Sequence, residues 1–186
     1  MLLSSQKPTL RTSMLLSDAI TLIKHPSVPS SSISTWADLG CGAGLFTQAL
    51  STLLAEGSII YAIDKVSVNR LPDHFNNIRI EKTQLDFVTA PLPASSLHGI
   101  LMGNSLHYVK EQLAFIKKAE AHLQSSGSFL IVEYDTDRSN PWVPYPLSFV
   151  SLKKLFNQAG YTSVEKINER PSAYGRYPMY AAVIHH

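Results

Sequence analysis

Apolar and polar residues follow two different spacings along the chain. Short apolar or alternating runs are typical of β-strands, whereas apolar residues three and four positions apart are typical of amphipathic helices. The first pattern predicts seven strands, at residues 33–39, 58–63, 78–83, 97–102, 128–134, 161–167 and 177–185. The second predicts four helices, within residues 10–24 and at residues 44–54, 109–123 and 148–159. Residues 67–75 are predicted to form at best a short helix, because Pro72 interrupts the pattern.

The order of these elements predicts an α/β fold. Strands and helices alternate from residue 33 onwards, which is typical of a doubly wound sheet with helices on both faces. The run at residues 58–63 is almost wholly apolar, as expected of a strand buried on both faces. Residues 168–176 join the last two strands without a helix, so we expect an antiparallel hairpin there. The prediction is a seven-stranded sheet, mostly parallel, with an antiparallel last strand.

The length of 186 residues suits a single domain with one sizeable hydrophobic core. We expect residues 33–186 to form that core. Residues 1–32 are expected to form an N-terminal helical segment, which either covers a face of the sheet or acts as a lid. No internal repeat or low-complexity linker divides the sequence.

Composition and charge narrow the class of protein. The 16 basic and 14 acidic residues leave a net charge of +2, and Lys and Arg are not clustered, so no nucleic-acid partner is expected. No apolar run reaches the length of a membrane span, and the first residues lack the basic start of a signal peptide. Cys41 is the single cysteine, which excludes an internal disulfide. A cytoplasmic location is therefore the expectation.

The stretch TWADLGCGAGLF, at residues 35–46, is the strongest candidate for a binding site. An apolar strand is followed by three glycines at alternate positions, and then a helix begins. Glycines let a ligand approach the backbone, and a helix start offers free N–H groups, so a nucleotide-like ligand is expected here. A dinucleotide site would have a further glycine where the chain has Leu45. Asp64, 24 positions after Gly40, would suit the ribose of NAD as well as that of another nucleotide.

The sequence resembles the class I S-adenosylmethionine (SAM)-dependent methyltransferases. Four motifs in chain order carry the resemblance: DLGCGAG at residues 38–44, YAID at 61–64, Asp86–Phe87, and MGNSLHYV at 102–109. Each lies at the end of a predicted strand. The resemblance implies a Rossmann-like fold, SAM (S-adenosyl-L-methionine) as the cofactor, S-adenosyl-L-homocysteine (SAH) as its product, and no metal ion.

The resemblance also implies roles for the residues at these strand ends. Asp64 would accept hydrogen bonds from the two ribose hydroxyls, and Asp86 from the amine of adenine. Asp38 would serve the positive end of the amino-acid tail or hold the glycine loop, and Cys41 would be a small packing residue there. Ile63, Lys65 and Leu85 would flank adenine. The cofactor-binding candidates are Asp38, Gly40, Cys41, Gly42, Gly44, Asp64, Lys65, Asp86, Phe87, Asn104 and Ser105.

The catalytic candidates are His107 and Tyr108, which follow the fourth strand. Methyl transfer from a sulfonium requires a base only if the acceptor must lose a proton, and His107 could supply one. His107 could instead cap the following helix or cover the adenosine. Arg11 and Arg176 are candidates for holding a carboxylate of the cofactor or an anionic acceptor.

The segment Asn140–Pro141–Trp142 is similar to the Asn-Pro-Pro-aromatic motif of amino-methylating relatives. It follows the fifth strand instead of the fourth, so methylation of DNA adenine or of glutamine is not expected. Trp142 and Tyr145 could line an acceptor pocket. We expect a small-molecule methyl acceptor, since the chain has no basic stripe or long insertion for a macromolecule.

Two other functions are compatible with these motifs. One is a non-catalytic regulatory protein of the same fold that binds SAM or SAH, and the other is an NAD-dependent oxidoreductase. The methyl acceptor, the attacked atom and the oligomeric state are left open by the sequence.

Overall fold

A computed structural model describes residues 14–28, 31–172 and 177–186. It contains one eight-stranded sheet and, on its faces, four α-helices. The strands are β1 (Thr35–Leu39), β2 (Ile59–Asp64), β3 (His74–Phe75), β4 (Ile78–Gln84), β5 (Leu97–Gly103), β6 (Leu123–Tyr134), β7 (Ser163–Arg170) and β8 (Met179–His185). The helices are α1 (Leu16–Ile23), α2 (Leu45–Ser51), α3 (Gln112–Glu120) and α4 (Phe149–Gln158), and Leu106–Tyr108 form a short 3₁₀ helix.

The sheet has the strand order β3-β4-β2-β1-β5-β6-β8-β7. Strands β4, β2, β1, β5 and β6 are parallel, and β8 is antiparallel to both β6 and β7. The predicted α/β sheet with an antiparallel last strand is therefore confirmed. The difference is β3, a two-residue strand that pairs antiparallel with β4 and makes the count eight instead of seven. The strand order reverses between β1 and β5, the position at which doubly wound folds bind their ligands.

Helices cover both faces of the sheet, as predicted. On one face α1 and α2 bury residues such as Ala19 and Leu50 against Trp36 of β1. On the other face α3 and α4 bury Ile116, Phe156 and their neighbours. None of the helices in the described part of the chain has the length and apolar character needed to cross a membrane.

Helix α4 begins and ends where the sequence predicts. The hydroxyl of Ser148 accepts a hydrogen bond from the N–H of Ser151 at 3.2 Å, which is the expected N-cap. Gly160 follows the helix with φ +99°, a conformation that favours glycine at a helix C-terminus.

The clearest differences from the prediction lie in three segments, while β7 also runs three residues beyond its predicted end, to Arg170. Residues 67–75 form turns and the short strand β3 and no helix, because Pro72 lacks an N–H and the segment is held at both ends by the sheet. Helix α3 begins at Gln112, three residues later than expected, because the 3₁₀ helix precedes it. Residues 125–127 do not close α3 but lie in β6, which pairs with β5 from Leu97↔Leu123 onwards. In the first and third segments pairing within the sheet overrides the local sequence preference.

Helix α1 is bound to β7, the strand at one edge of the sheet. The side-chain amide of Asn168 donates hydrogen bonds to the carbonyl oxygens of Thr21 and Leu22, both at 3.1 Å. Arg170 forms an ion pair of 3.0 Å with Asp18 in the first turn of the helix. The described part of the N-terminal segment therefore covers a sheet face.

Candidate active site

A cavity of about 650 Å³ opens at the carboxyl ends of β2, β4 and β5, above the turn that follows β1. Eight of the predicted site residues line it: Gly40, Asp64, Lys65, Asp86, Phe87, Asn104, Ser105 and Tyr108. Five residues that were not predicted as cofactor or catalytic residues complete the wall: Val88, Thr89, Lys110, Pro141 and Trp142. Residues from four strand ends thus meet at one cavity, although up to 68 residues separate them along the chain between Gly40 and Tyr108.

The glycine turn brings the backbone at the end of β1 up to the cavity. The N–H groups of Gly40 and Cys41 both donate to the carbonyl oxygen of Ile63, at 2.8 and 3.2 Å, which ties the turn to β2. Gly40 has φ +81°, and a Cβ there would lie 2.5 Å from the Cβ of Ser105. The hydroxyl of Ser105 donates to the carbonyl oxygen of Leu39 at 2.5 Å. Only glycine fits at position 40, because a side chain would displace Ser105.

Asp64 joins the glycine turn to the loop after β2. One carboxylate oxygen accepts from the N–H of Gly42 at 2.8 Å, and the other accepts from the N–H of Val66 at 3.0 Å. Each carboxylate oxygen has a second lone pair, so Asp64 can still accept two hydrogen bonds from a ligand in the cavity. This is the arrangement that a vicinal diol requires.

Asp38 lies beneath the turn and is not on the cavity wall. Its side chain is buried, with 1% exposure, and one oxygen accepts from the hydroxyl of Thr47 at 2.6 Å. The other oxygen has no hydrogen-bond partner among the described residues. Burial raises the pKa of this carboxyl from 3.8 to about 7; the hydroxyl of Thr47 opposes the change and the charge of Asp64 adds to it. A positive group bound above the turn would stabilise the ionised form.

Cys41 and Gly44 also lie off the cavity wall. Burial, with the nearby negative charges of Asp38 and Asp64, raises the pKa of the Cys41 thiol well above its usual range. The thiol is therefore protonated at neutral pH, as expected of a packing residue. Gly44 has φ +84° and is the N-cap of α2, where a Cβ would collide with the side chain of Leu71.

The loop after β4 forms the opposite side of the cavity. The carboxylate of Asp86 is exposed and accepts from the N–H of Val88 at 3.0 Å. The ring of Phe87 is buried, and its centroid lies 5.6 Å from that of Phe115 on α3. Phe87 thus anchors the loop in the core while Asp86 stays at the cavity.

Asn104 follows β5 in a backbone conformation that is unusual for a residue other than glycine, with φ +56°. Its N–H donates to the carbonyl oxygen of Val132 at 2.9 Å, and its side-chain nitrogen lies 3.9 Å from the sulfur of Met179. The side-chain oxygen has no partner among the described residues. Such strain and an unpartnered polar atom are typical of a ligand-binding position.

His107 lies behind the cavity wall, whereas Tyr108 lies on it. The His107 ring is 2% exposed, and its Nδ1 lies 2.6 Å from Oε2 of Glu133, whose Oε1 accepts from the His107 N–H at 3.1 Å. The ring of Tyr108 covers that of His107 with 4.3 Å between centroids. A catalytic role for either residue stays a prediction.

Glu133 was missed as a candidate. It is an acid inside the apolar run FLIVEY of β6, and a buried acid in such a run needs a partner, which was the available signal.

The aromatic side of the cavity comes from the loop after β6. Trp142 lines the cavity with 80% of its surface exposed. The side-chain oxygen of Asn140 accepts from the N–H groups of Trp142 and Val143, at 2.9 and 3.1 Å, so a defined turn presents the indole. The N–H of Tyr145 donates to the carbonyl oxygen of His107 at 3.0 Å, which fastens this loop to the 3₁₀ helix.

The structure leaves other sequence candidates off the cavity wall. Tyr145, Ile63 and Leu85 do not line the cavity, and Gly42 lines another groove, of about 430 Å³. Arg11 and Arg176 lie outside the described residues. Within the described ranges, no group of three or more His, Cys, Asp or Glu side chains could hold a metal ion.

Comparisons with known proteins agree with this architecture. A family model described as a methyltransferase domain matches residues 37–131, just over half of the chain. No curated protein matches the sequence. A SAM-dependent methyltransferase from Aquifex aeolicus is 20% identical, with a TM-score of 0.59, over 92% of this chain and 100% of its own.

Two further solved structures are similar. A SAM-dependent methyltransferase from Leishmania major is 20% identical with a TM-score of 0.64, over 84% of this chain and 66% of its own. The 1,6-didemethyltoxoflavin N1-methyltransferase of Burkholderia thailandensis, with 1,6-didemethyltoxoflavin and SAH bound, is 18% identical with a TM-score of 0.67. That match covers 92% of this chain and 78% of the Burkholderia protein. These likenesses establish the Rossmann-like fold, and the family match establishes the activity. The chain belongs to the methyltransferase-domain family and is an enzyme that uses SAM.

Proposed function

We propose that the enzyme transfers the methyl group of SAM to a small, largely planar molecule bound against Trp142. The observation that carries the proposal is that one cavity of about 650 Å³ joins the strand-end residues to an exposed indole. This volume is within the range of pockets for small molecules and cofactors. The similar Burkholderia structure supports the proposal, because it was solved with 1,6-didemethyltoxoflavin and SAH together.

Within this cavity the strand ends would hold the cofactor. Asp64 would accept hydrogen bonds from the ribose hydroxyls, and Asp86 would accept one from the adenine amine. The backbone of Gly40 would approach the amino-acid part, and Asn104 and Ser105 would border it. The unpartnered oxygen of Asn104 supports this placement, since a ligand donor would satisfy it.

The reaction is an in-line displacement at the methyl carbon. An electron pair of the acceptor forms the new bond to carbon while the carbon–sulfur bond breaks, and the sulfonium becomes the neutral thioether of SAH. The protein would mainly supply proximity and orientation. The hydrogen bond from His107 Nδ1 to Glu133 would leave Nε2 as the acceptor of a proton, but the ring lies behind Tyr108, so a base role requires Tyr108 to move.

Calorimetric titration with SAH, SAM and NAD tests the cofactor assignment. We expect SAH and SAM to bind and NAD not to bind. Asp64→Asn, which retains one carbonyl oxygen, should weaken SAH binding by about tenfold. Binding of NAD without SAH would contradict the proposal. SAH binding without SAH formation from SAM, over a broad screen of acceptors, would favour a regulatory protein instead.

Experiments on the two tryptophans can distinguish binding of the acceptor from binding of the cofactor. Trp36 is 1% exposed and Trp142 is 80% exposed, so a fluorescence change on ligand binding should come from Trp142 and disappear in Trp142→Phe. For an acceptor found in the screen, Trp142→Ala should raise KM for the acceptor and leave the Kd of SAH unchanged. The reverse result would assign Trp142 to the cofactor and contradict its role in the acceptor site.

A cytoplasmic location and the absence of nucleic-acid partners stay predictions.

A further inference from the structure

We propose that Lys118 is a positioning residue that sets the affinity and the base selectivity of the adenine side of the site. Lys118 lies on α3, outside the cavity wall, and its ammonium group reaches the loop that follows β4. The proposal rests on the cofactor placement given above, in which Asp86 and Phe87 border adenine.

The Lys118 ammonium group donates hydrogen bonds to three carbonyl oxygens of this loop. Its Nζ donates to the carbonyl oxygens of Phe87 at 3.4 Å, Val88 at 2.9 Å and Ala90 at 2.7 Å. An ammonium group has three N–H donors, so its hydrogen-bonding capacity is used entirely on this segment. The side chain is half-buried, which strengthens these charge-assisted hydrogen bonds relative to those of an exposed lysine.

These contacts explain how the loop keeps its shape beside an open cavity. The N–H groups of Thr89 and Ala90 donate to the carbonyl oxygen of Asp86, at 3.2 and 3.0 Å, so residues 86–90 form a tight turn. The turn directs carbonyl oxygens towards α3, where their partial negative charges would repel one another without a cation. Lys118 supplies that cation from outside the cavity wall, whereas Asp86 lines the cavity.

Phe115 supports the same loop one helical turn earlier. Its ring packs against the ring of Phe87, so α3 holds the loop through one apolar and one charged contact. A loop that is ordered before the ligand binds does not have to be ordered at that moment, which increases affinity. Lys118 would therefore act on SAM without touching it.

The consequence for selectivity follows from the predicted partner of Asp86. A carboxylate accepts a hydrogen bond from the amine of adenine but not from the carbonyl oxygen of hypoxanthine. If Lys118 fixes Asp86 in place, its removal should lower the preference for SAH over S-inosylhomocysteine, in which a carbonyl oxygen replaces the amine and the neighbouring ring nitrogen N1 gains a hydrogen. A residue that merely stabilised the fold would not change this ratio.

Lys117 provides a matched control on the same helix. Its ammonium donates to the carbonyl oxygen of Ala159 at the end of α4 and lies 3.5 Å from Glu120, so it also makes structural contacts but none to the cavity loop. The experiment measures the Kd of SAH and of S-inosylhomocysteine by calorimetry for the wild type, Lys118→Met, Lys118→Arg and Lys117→Met. Thermal unfolding of the same four proteins reports stability.

We expect Lys118→Met to weaken SAH binding about tenfold and to reduce the preference for SAH over S-inosylhomocysteine. Lys118→Arg, which retains several donors, should recover most of both losses. Lys117→Met should lower the unfolding temperature without changing either Kd. If Lys118→Met keeps the wild-type preference for SAH over S-inosylhomocysteine, and the wild type binds SAH, the inference about Lys118 is overturned while the cofactor placement stands. Failure of the wild type to bind SAH would instead overturn the cofactor placement and the inference with it. If Lys118→Met does not fold, Lys118→Gln takes its place, since its neutral amide keeps two N–H donors but not the charge; an unchanged preference for SAH in that variant would overturn the inference.

Discussion

Asp38 should make the stability of the ligand-free protein depend on pH. The carboxyl is buried, and burial raises its pKa from 3.8 to about 7 in the folded state. Between about pH 4 and pH 7 the native protein keeps a proton that the unfolded chain has released, so stability falls as the pH rises through this interval. The contribution of Asp38 is therefore fully present below pH 4 and lost above pH 7.

The size of the effect follows from the pKa change. Each unit of pKa difference corresponds to about 1.4 kcal/mol, so the interval from pH 5 to pH 7 is worth about 3 kcal/mol and the whole shift on the order of 4 kcal/mol. Asp38→Asn has no charge at any of these values. We expect the free energy of unfolding of Asp38→Asn, relative to the wild type, to increase by about 3 kcal/mol between pH 5 and pH 8.

Urea unfolding at pH 5, 6, 7 and 8 without cofactor measures this difference. Thr47→Val is the informative second variant, because the hydroxyl of Thr47 lowers the pKa of Asp38 and its loss should move the transition to higher pH. The charge of Asp38 has the opposite effect on the cofactor, so SAM binding should become tighter as the pH rises through about 7 and should lose this dependence in Asp38→Asn. A stability difference that stays constant from pH 5 to pH 8 would refute the reasoning.

Three further results are expected. Gly40→Ala should destabilise the protein and abolish SAH binding, because its Cβ would lie 2.5 Å from a neighbouring Cβ; Gly42→Ala, which meets no atom within 4 Å, should cost only the strain of its positive φ, about 1 kcal/mol, and calorimetry with thermal unfolding separates the two. Cys41 should resist a thiol reagent such as Ellman's reagent in the native protein and react on unfolding, because its pKa is raised; rapid native reaction would contradict the burial of the thiol. His107→Gln and Glu133→Gln should each lower stability by about 3 kcal/mol by breaking a buried pair, and a loss of kcat in His107→Gln that exceeds the loss in Glu133→Gln at equal SAH affinity would support a base role for the histidine.

The strand ends were the part of the site most accessible from sequence. In a parallel sheet the carboxyl ends of neighbouring strands lie at one edge, so acids that follow predicted strands are expected to meet. Asp64, Asp86 and Asn104 do lie around one cavity. The glycine turn could also be recognised from the sequence, because its residues are adjacent in the chain.

The contacts that hold the site residues in place could not be predicted from the sequence in this way. His107 and Glu133 are 26 residues apart on different elements, and their pairing depends on the register of β5 and β6. Lys118 belongs to an amphipathic helix, where a lysine usually indicates a solvent-exposed face. The turn-forming composition of residues 125–127 predicted the end of a helix, but pairing with β5 extends β6 through them. Local preference and tertiary pairing disagree in such segments.

The position of β8 inside the sheet has a consequence for synthesis of the protein on the ribosome. Strand β8, Met179–His185, pairs with β6 on one side and β7 on the other, and Tyr180, Ala181 and Ala182 are completely buried. A nascent chain that has not yet released these residues from the exit tunnel has an unpaired edge on the long strand β6 and no partner for β7. Such an edge is open to pairing with other chains, so aggregation and chaperone binding should be greatest just before β8 emerges.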